Sequence, residues 1–197
     1  MRYDADHKQK TRERVLKAAA KAIRAEGPQK IGVAAVMAEA GLTHGGFYAH
    51  FESKDDFVAA AIGQMFLEGR ARLDRSMEGR GPAEGLASYI GFYLSGAHRD
   101  TRTSGCPLPF LSADAPRLPA PSREQFAHGV ALLTDRLVQA LEQLGRPDAE
   151  ETAGSMLSEM VGAVALARAE PDPIRSDVIL ARTRASLTRR LGLEAMQ

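Results

Sequence analysis

Between Gly32 and Lys54 the chain reads GVAAVMAEAGLTHGGFYAHFESK, and seven of these residues carry recognisable chemistry: Thr43, His44, Gly45, Gly46, Tyr48, His50 and Lys54. The chemistry they support is recognition of a polyanion rather than bond making. Tyrosine and lysine donate to phosphate oxygens, a histidine at a base edge reads purine N7, and glycines let backbone approach a groove closely. Blander roles compete: Thr43 also suits a helix cap, and Tyr48 an amphipathic core position. A second candidate is the single cysteine, Cys106, near Arg99 and Arg102 in sequence and near the start of a short predicted helix. Both circumstances favour a reactive thiolate, although a cysteine beside Pro107-Leu108-Pro109-Phe110 also reads as a small buried hydrophobe. His98 and Cys106 have no third group to orient them, and no metal-ligand cluster, phosphate-cradling glycine loop or nucleophile elbow occurs. An enzyme is therefore not expected, and neither is a metal or a cofactor.

The recognition residues need a frame. Val33, Val36, Met37 and Ala40 fall at helical spacing, Gly41 supplies the left-handed residue that ends that helix, and Leu42 plugs the angle after it. Thr43 is placed to cap a second helix whose Phe47 and Phe51 face inward at i and i+4, leaving Thr43, His44, Gly45, Gly46, Tyr48, Ala49 and His50 outward. This is the pattern of a helix-turn-helix whose second helix lies in a DNA major groove. Ahead of it, Asp6 and Gln9 have capping spacing for a helix from about His7 to Glu26 that Gly27-Pro28 stops. Lys8, Lys10, Arg12 and Arg14 crowd the first turns of that helix, where they oppose its dipole unless phosphates lie nearby.

The run A-G-L-T-H-G-G-F-Y-A-H-F-E-S-K-D-D-F resembles the DNA-binding signature of the TetR (tetracycline repressor) family of bacterial transcriptional regulators, over roughly Lys10 to Ile62. Gly41, Thr43, Gly45, Tyr48, His50, Phe51, Ser53, Lys54 and Phe57 sit at signature spacing. Gly32 stands where the family usually has a capping Thr or Ser, and Met37 where it usually has Ala; His44 and Gly46 replace longer polar residues. The resemblance implies base-edge contact by Thr43, His44, Gly45 and Gly46, and phosphate contact by Tyr48, His50 and Lys54. It implies a homodimeric repressor on a near-palindromic double-stranded operator, released by a small-molecule effector. Two alternatives stay open: a regulator that senses oxidants or electrophiles through Cys106, or a ligand-binding body with a degenerate DNA head.

Composition agrees with a soluble globular chain, 44% hydrophobic and 26% charged. Residues 1–54 hold ten Lys and Arg against six Asp and Glu, a net +4, whereas residues 55–197 hold sixteen against nineteen, a net −3. The basic excess therefore lies with the motif. One cysteine makes no internal disulfide, the N-terminus has no signal-peptide core, and no run is long and apolar enough for a membrane span, so a cytoplasmic protein is expected.

The rest of the chain reads as helices. Ser53 caps one from Lys54 to about Arg75, and further helices span about Ala83–His98, a short stretch at Cys106–Leu111, Ser122–Leu144, Asp148 to about Arg168, and Ser176–Leu191. The prolines of Ala115–Pro121 exclude helix there. Tyr89, Tyr93, Phe110, Phe126 and Met160 are candidates to line a ligand pocket, though such a stripe is equally plain core. The last two helices have long apolar faces and nothing after them to cover those faces, so the same pair from a second subunit would complete a four-helix interface. The expected fold is all-α, of about nine helices: a head, residues 1–54, with its motif at about 32–51, and a helical ligand-binding and dimerisation body, residues 55–197.

Overall fold

The computed structural model describes residues 2–193, with side chains from residue 6, and all regular structure among them is helical. Nine α-helices lie among the described residues: α1 Arg2–Glu26, α2 Val33–Glu39, α3 Lys54–Met77, α4 Pro82–Tyr93, α5 Gly96–Asp100, α6 Leu108–Leu111, α7 Ala120–Gln143, α8 Ala149–Ala169 and α9 Pro173–Arg190. Two 3-10 helices, His44–Ala49 and Ala115–Arg117, lie between them. The chain divides into two compact units, Met1–Leu67 with Arg102–Gly129, and Glu68–Thr101 with Val130–Gln197. This partition by compactness differs from the 1–54 and 55–197 division, which concerns function.

In the first unit, Val15, Leu16, Ala19, Ala20 and Ile23 form the buried stripe of α1, and Gly27 ends the helix at φ +89°. The helix begins earlier than the Asp6–Gln9 pair predicts. Those residues do not cap it; Asp6 pairs with Lys10 at 3.1 Å and Gln9 donates to Glu13 at 2.9 Å, each one turn along the exposed face. Gly41, at φ +71°, closes α2, and the Leu42 N–H reaches back to the Met37 carbonyl at 2.8 Å, a Schellman-type stop. Lys21 Nζ lies 2.8 Å from Glu39 Oε1 and ties α1 to α2.

The first part of α7 packs on α3 without clearance in this unit. Phe66 is 1% exposed, and a Cβ on Gly129 would collide with its ring. Only a residue without a side chain allows that approach. The helix starts at Ala120, not at Ser122, because a proline in the first helical turn surrenders an N–H that has no partner anyway. Ser122 is then fully buried rather than a cap. The proline-rich segment before it is not wholly irregular either, since Ala115–Arg117 makes a single 3-10 turn.

In the second unit, the expected helix from Ala83 to His98 is broken into α4 and α5. Ser95 makes the break: its hydroxyl donates to the Phe92 carbonyl at 2.7 Å and accepts from the His98 N–H at 3.1 Å, capping α5. The expected caps of α8 and α9 are also replaced. Asp148 spends its carboxylate on Arg146 and on the Thr152 hydroxyl, the latter at 2.9 Å. Asp172, not Ser176, caps α9, accepting from the N–H groups of Ile174 at 2.8 Å and Arg175 at 3.1 Å with Pro173 at the first position. Ser176 instead donates to the Ala167 carbonyl at 2.6 Å and accepts from Arg99 at 2.8 Å, so it fastens α9 to α8 and α5. Leu180 and Leu187 of α9, and Leu191 just beyond its end, are buried as the periodicity predicts.

Candidate nucleic-acid interface

The reading segment is built on three phenylalanines. Phe47, Phe51 and Phe57 are 3%, 2% and 0% exposed, and their ring centroids lie between 4.9 and 5.5 Å apart. Phe57 belongs to α3, so this cluster joins the segment to that helix. The segment itself is a 3-10 helix and not the α-helix expected. Two adjacent glycines weaken helix propensity, and the Thr43 side chain makes no cap bond although its backbone is extended. The Gly46 N–H bonds to the Thr43 carbonyl at 3.1 Å and the His50 N–H to Phe47 at 2.9 Å, which suffices for one tight turn.

Outside this aromatic base stand the residues picked out by type. Thr43, His44 and Gly45 are exposed, Gly46 and His50 are half-buried, and Lys54 is exposed at the first position of α3. Tyr48 is 72% exposed, with its ring edge-on to Phe47 at 5.2 Å, so it is not a core residue. Neither glycine is required by the fold. Both have ordinary negative-φ backbone; a Cβ on Gly45 would meet nothing within 4 Å, and one on Gly46 would make contacts of 3.8 and 3.9 Å. The cap ahead of Lys54 is reciprocal: Ser53 accepts from the Asp56 N–H at 3.1 Å while Asp56 accepts from the Glu52 N–H at 3.2 Å.

The α1 cations noted by composition separate in the structure. Lys10 and Lys21 are paired, whereas Lys8, Arg12, Arg14 and Lys17 have no acidic partner among the described residues. Arg12 places its guanidinium carbon 5.1 Å from the Phe51 ring centroid, a cation–π contact. Its neighbour His50 has a buried Nδ1 with no hydrogen-bond partner. Burial first, then the charges of Lys8 and Arg12, push the His50 pKa below its ordinary value. Spacing within the motif carries no sign of this convergence, because it joins residues thirty-eight or more positions apart.

Residues 15–61 match the family described as bacterial regulatory proteins, tetR family. That match places the reading segment within a stretch similar to the TetR family. A TetR-family transcriptional regulator from Agrobacterium tumefaciens superposes with a TM-score of 0.74 at 26% identity, over 92% of this chain and 98% of that one. Two others show the same fold: a TetR transcriptional regulator from Chloroflexus aurantiacus (TM-score 0.77, 23% identity, 95% and 96% covered) and the reduced form of Escherichia coli NemR (TM-score 0.78, 22% identity, 91% and 97% covered). No curated protein matches by sequence. The aromatic-based segment therefore belongs to the helix-turn-helix DNA-binding domain of a TetR-family transcriptional regulator.

The remaining candidates are scattered. Cys106 is 7% exposed, two residues before α6, and Arg99 is committed to Asp100 at 2.7 Å and Asp177 at 2.6 Å. Tyr89, Tyr93 and Met160 are buried in the second unit; Phe110 and Phe126 are half-buried in the first, Phe126 edge-on to Phe66 at 5.6 Å. A groove of about 580 Å³ in the first unit and one of about 450 Å³ in the second are lined by other residues. His98 donates Nδ1–H to the Tyr93 carbonyl at 2.7 Å in a buried site, and Arg168 donates to the carbonyls of Arg99 and His98 at 2.9 and 3.1 Å. These contacts hold α5 against α8. Among the described residues, no group of His, Cys, Asp and Glu has the arrangement to hold a metal, and no helix is long and apolar enough to cross a membrane.

Proposed function

We propose that this chain is a homodimeric operator-binding regulator, a repressor released from a near-palindromic site by a small-molecule effector. The observation that carries the DNA reading is the pair Gly45 and Gly46, for which neither backbone conformation nor packing inside the protein has a use. Close approach to a duplex groove gives that bareness a purpose. In this reading, Thr43, His44, Gly45 and Gly46 face base edges, and Tyr48, His50 and Lys54 hold phosphates. Residues 1–54 act as the head and 55–197 as the body. The exposed apolar row of α9, Ile174 at 74% and Val178 at 37%, with Leu166 of α8 at 64%, supports burial against a second copy. Two heads on one face of the duplex read half-sites roughly 34–36 Å apart, so an effector that alters their separation by a few ångströms releases the second.

The test is retention of the fragment upstream of its own gene by the full-length protein against random competitor DNA, with solution mass measured in parallel. Sequence-selective binding by a species of two chains is expected; a single-chain mass with no selectivity overturns the reading. The burial of Cys106 favours the plain packing role over thiol sensing. Small-maleimide labelling of the native protein checks this: labelling as fast as in the unfolded chain would restore the sensor.

A further inference from the structure

We propose that Lys8 and Arg12 of α1 join His50 in a further phosphate site that takes up one proton as duplex DNA binds; the proposal rests on the DNA-binding reading above. The groups come from two separate elements, the N-terminal half of α1 and the end of the reading turn. Arg12 is half-buried over the Phe51 ring, and the residue next to that ring is His50. Lys8 and Arg12 have no carboxylate partner among the described residues. The acidic groups on the packed elements are otherwise engaged: Asp6 by Lys10 at 3.1 Å, Glu13 by Gln9 at 2.9 Å, and Asp56 by the Glu52 N–H at 3.2 Å. Glu52 and Asp55, like Lys54, stand exposed around the start of α3.

His50 completes the chemistry. Its Nδ1 is buried and unpartnered, which is unfavourable for the free protein, and burial together with two neighbouring cations disfavours the charged ring. A phosphate entering beside Lys8 and Arg12 reverses the local sign. It offsets both cations and favours the imidazolium, whose two N–H groups are both donors. The proton comes from solvent, so binding and protonation are linked.

A random-sequence duplex of about 30 base pairs, long enough for two heads one helical turn apart, is the probe, because phosphate contacts are independent of sequence. Affinity is measured by anisotropy on the full chain from about 50 to 200 mM salt and across roughly pH 5.5 to 7.5. Wild-type affinity is expected to rise as pH falls, by up to about tenfold per pH unit for one linked proton. His50→Gln flattens that profile. Arg12→Gln lowers the salt slope by about one, whereas Arg75→Gln, an exposed charge on α3, leaves it alone. The titrating His50 ring signal in wild-type protein, read by NMR, moves to higher pKa when duplex is added. An unchanged slope in Arg12→Gln, a wild-type pH profile in His50→Gln, or an unmoved His50 titration overturns the site while leaving the general DNA reading intact. Failure of wild-type protein to bind the duplex at low salt overturns both.

Discussion

Gly129 and Gly45 are the same residue under opposite constraints. At Gly129 the Phe66 ring occupies the space a side chain would need, so the α3–α7 contact demands glycine from inside the molecule. At Gly45 nothing lies within 4 Å and the backbone is one any residue adopts. A glycine that the fold does not use is better explained by what approaches from outside. The comparison separates residues that hold the protein together from residues that leave room for a partner, and it does so without reference to sequence motifs.

The largest expected effect breaks the inner side of this comparison. Gly129→Ala forces Phe66 or the helix axis to shift, with a cost of about 1–3 kcal/mol or more in urea unfolding. Trimming the ring in a Gly129→Ala, Phe66→Leu double variant recovers part of it. A loss below about 0.5 kcal/mol would mean the contact is not tight. On the outer side, Gly45→Ala leaves stability unchanged or raised by a few tenths of a kcal/mol, since alanine favours helical backbone. Its affinity for the upstream fragment falls by about tenfold, roughly 1.4 kcal/mol. Unaltered affinity would remove the argument from bareness.

The smallest effect concerns the buried polar knot of the second unit, where α5 meets α8. Burial lowers the His98 pKa, the Tyr93 carbonyl opposes that shift, and the Arg168 and Arg72 charges add to it. The folded state therefore binds fewer protons than the unfolded chain at mildly acidic pH. Stability falls as pH drops below the unfolded value of about 6.5, and the loss levels off below the folded one. His98→Asn, which keeps an N–H for the Tyr93 carbonyl, makes the slope shallower. An identical slope in the variant would assign it to other groups.

Helix ends were the most legible part of this fold. Gly27, Gly41, Gly79, Gly145 and Gly192 all take positive φ, a conformation in which side-chain-bearing residues are strained, so residue type and geometry coincide there. Caps were less legible, because serine and aspartate serve several purposes. Ser95 interrupts a helix that periodicity extends through it, and Ser176 yields its expected cap to Asp172, whose following proline marks a first helical turn more strongly. In the candidate interface, the outward row could be read from spacing around Phe47 and Phe51. The 3-10 geometry and the approach of Arg12 to the His50 neighbourhood could not, since both depend on how α1 and the turn meet in three dimensions.

The aromatic triad has a mechanical corollary. With Phe57 wedged against Phe47 and Phe51, the turn that faces outward has its footing on the opening of α3 as much as on the helix preceding it. A tilt at the start of α3 would accordingly carry Tyr48 along, like a handle fixed to its shaft, with no need for the segment to melt or refold.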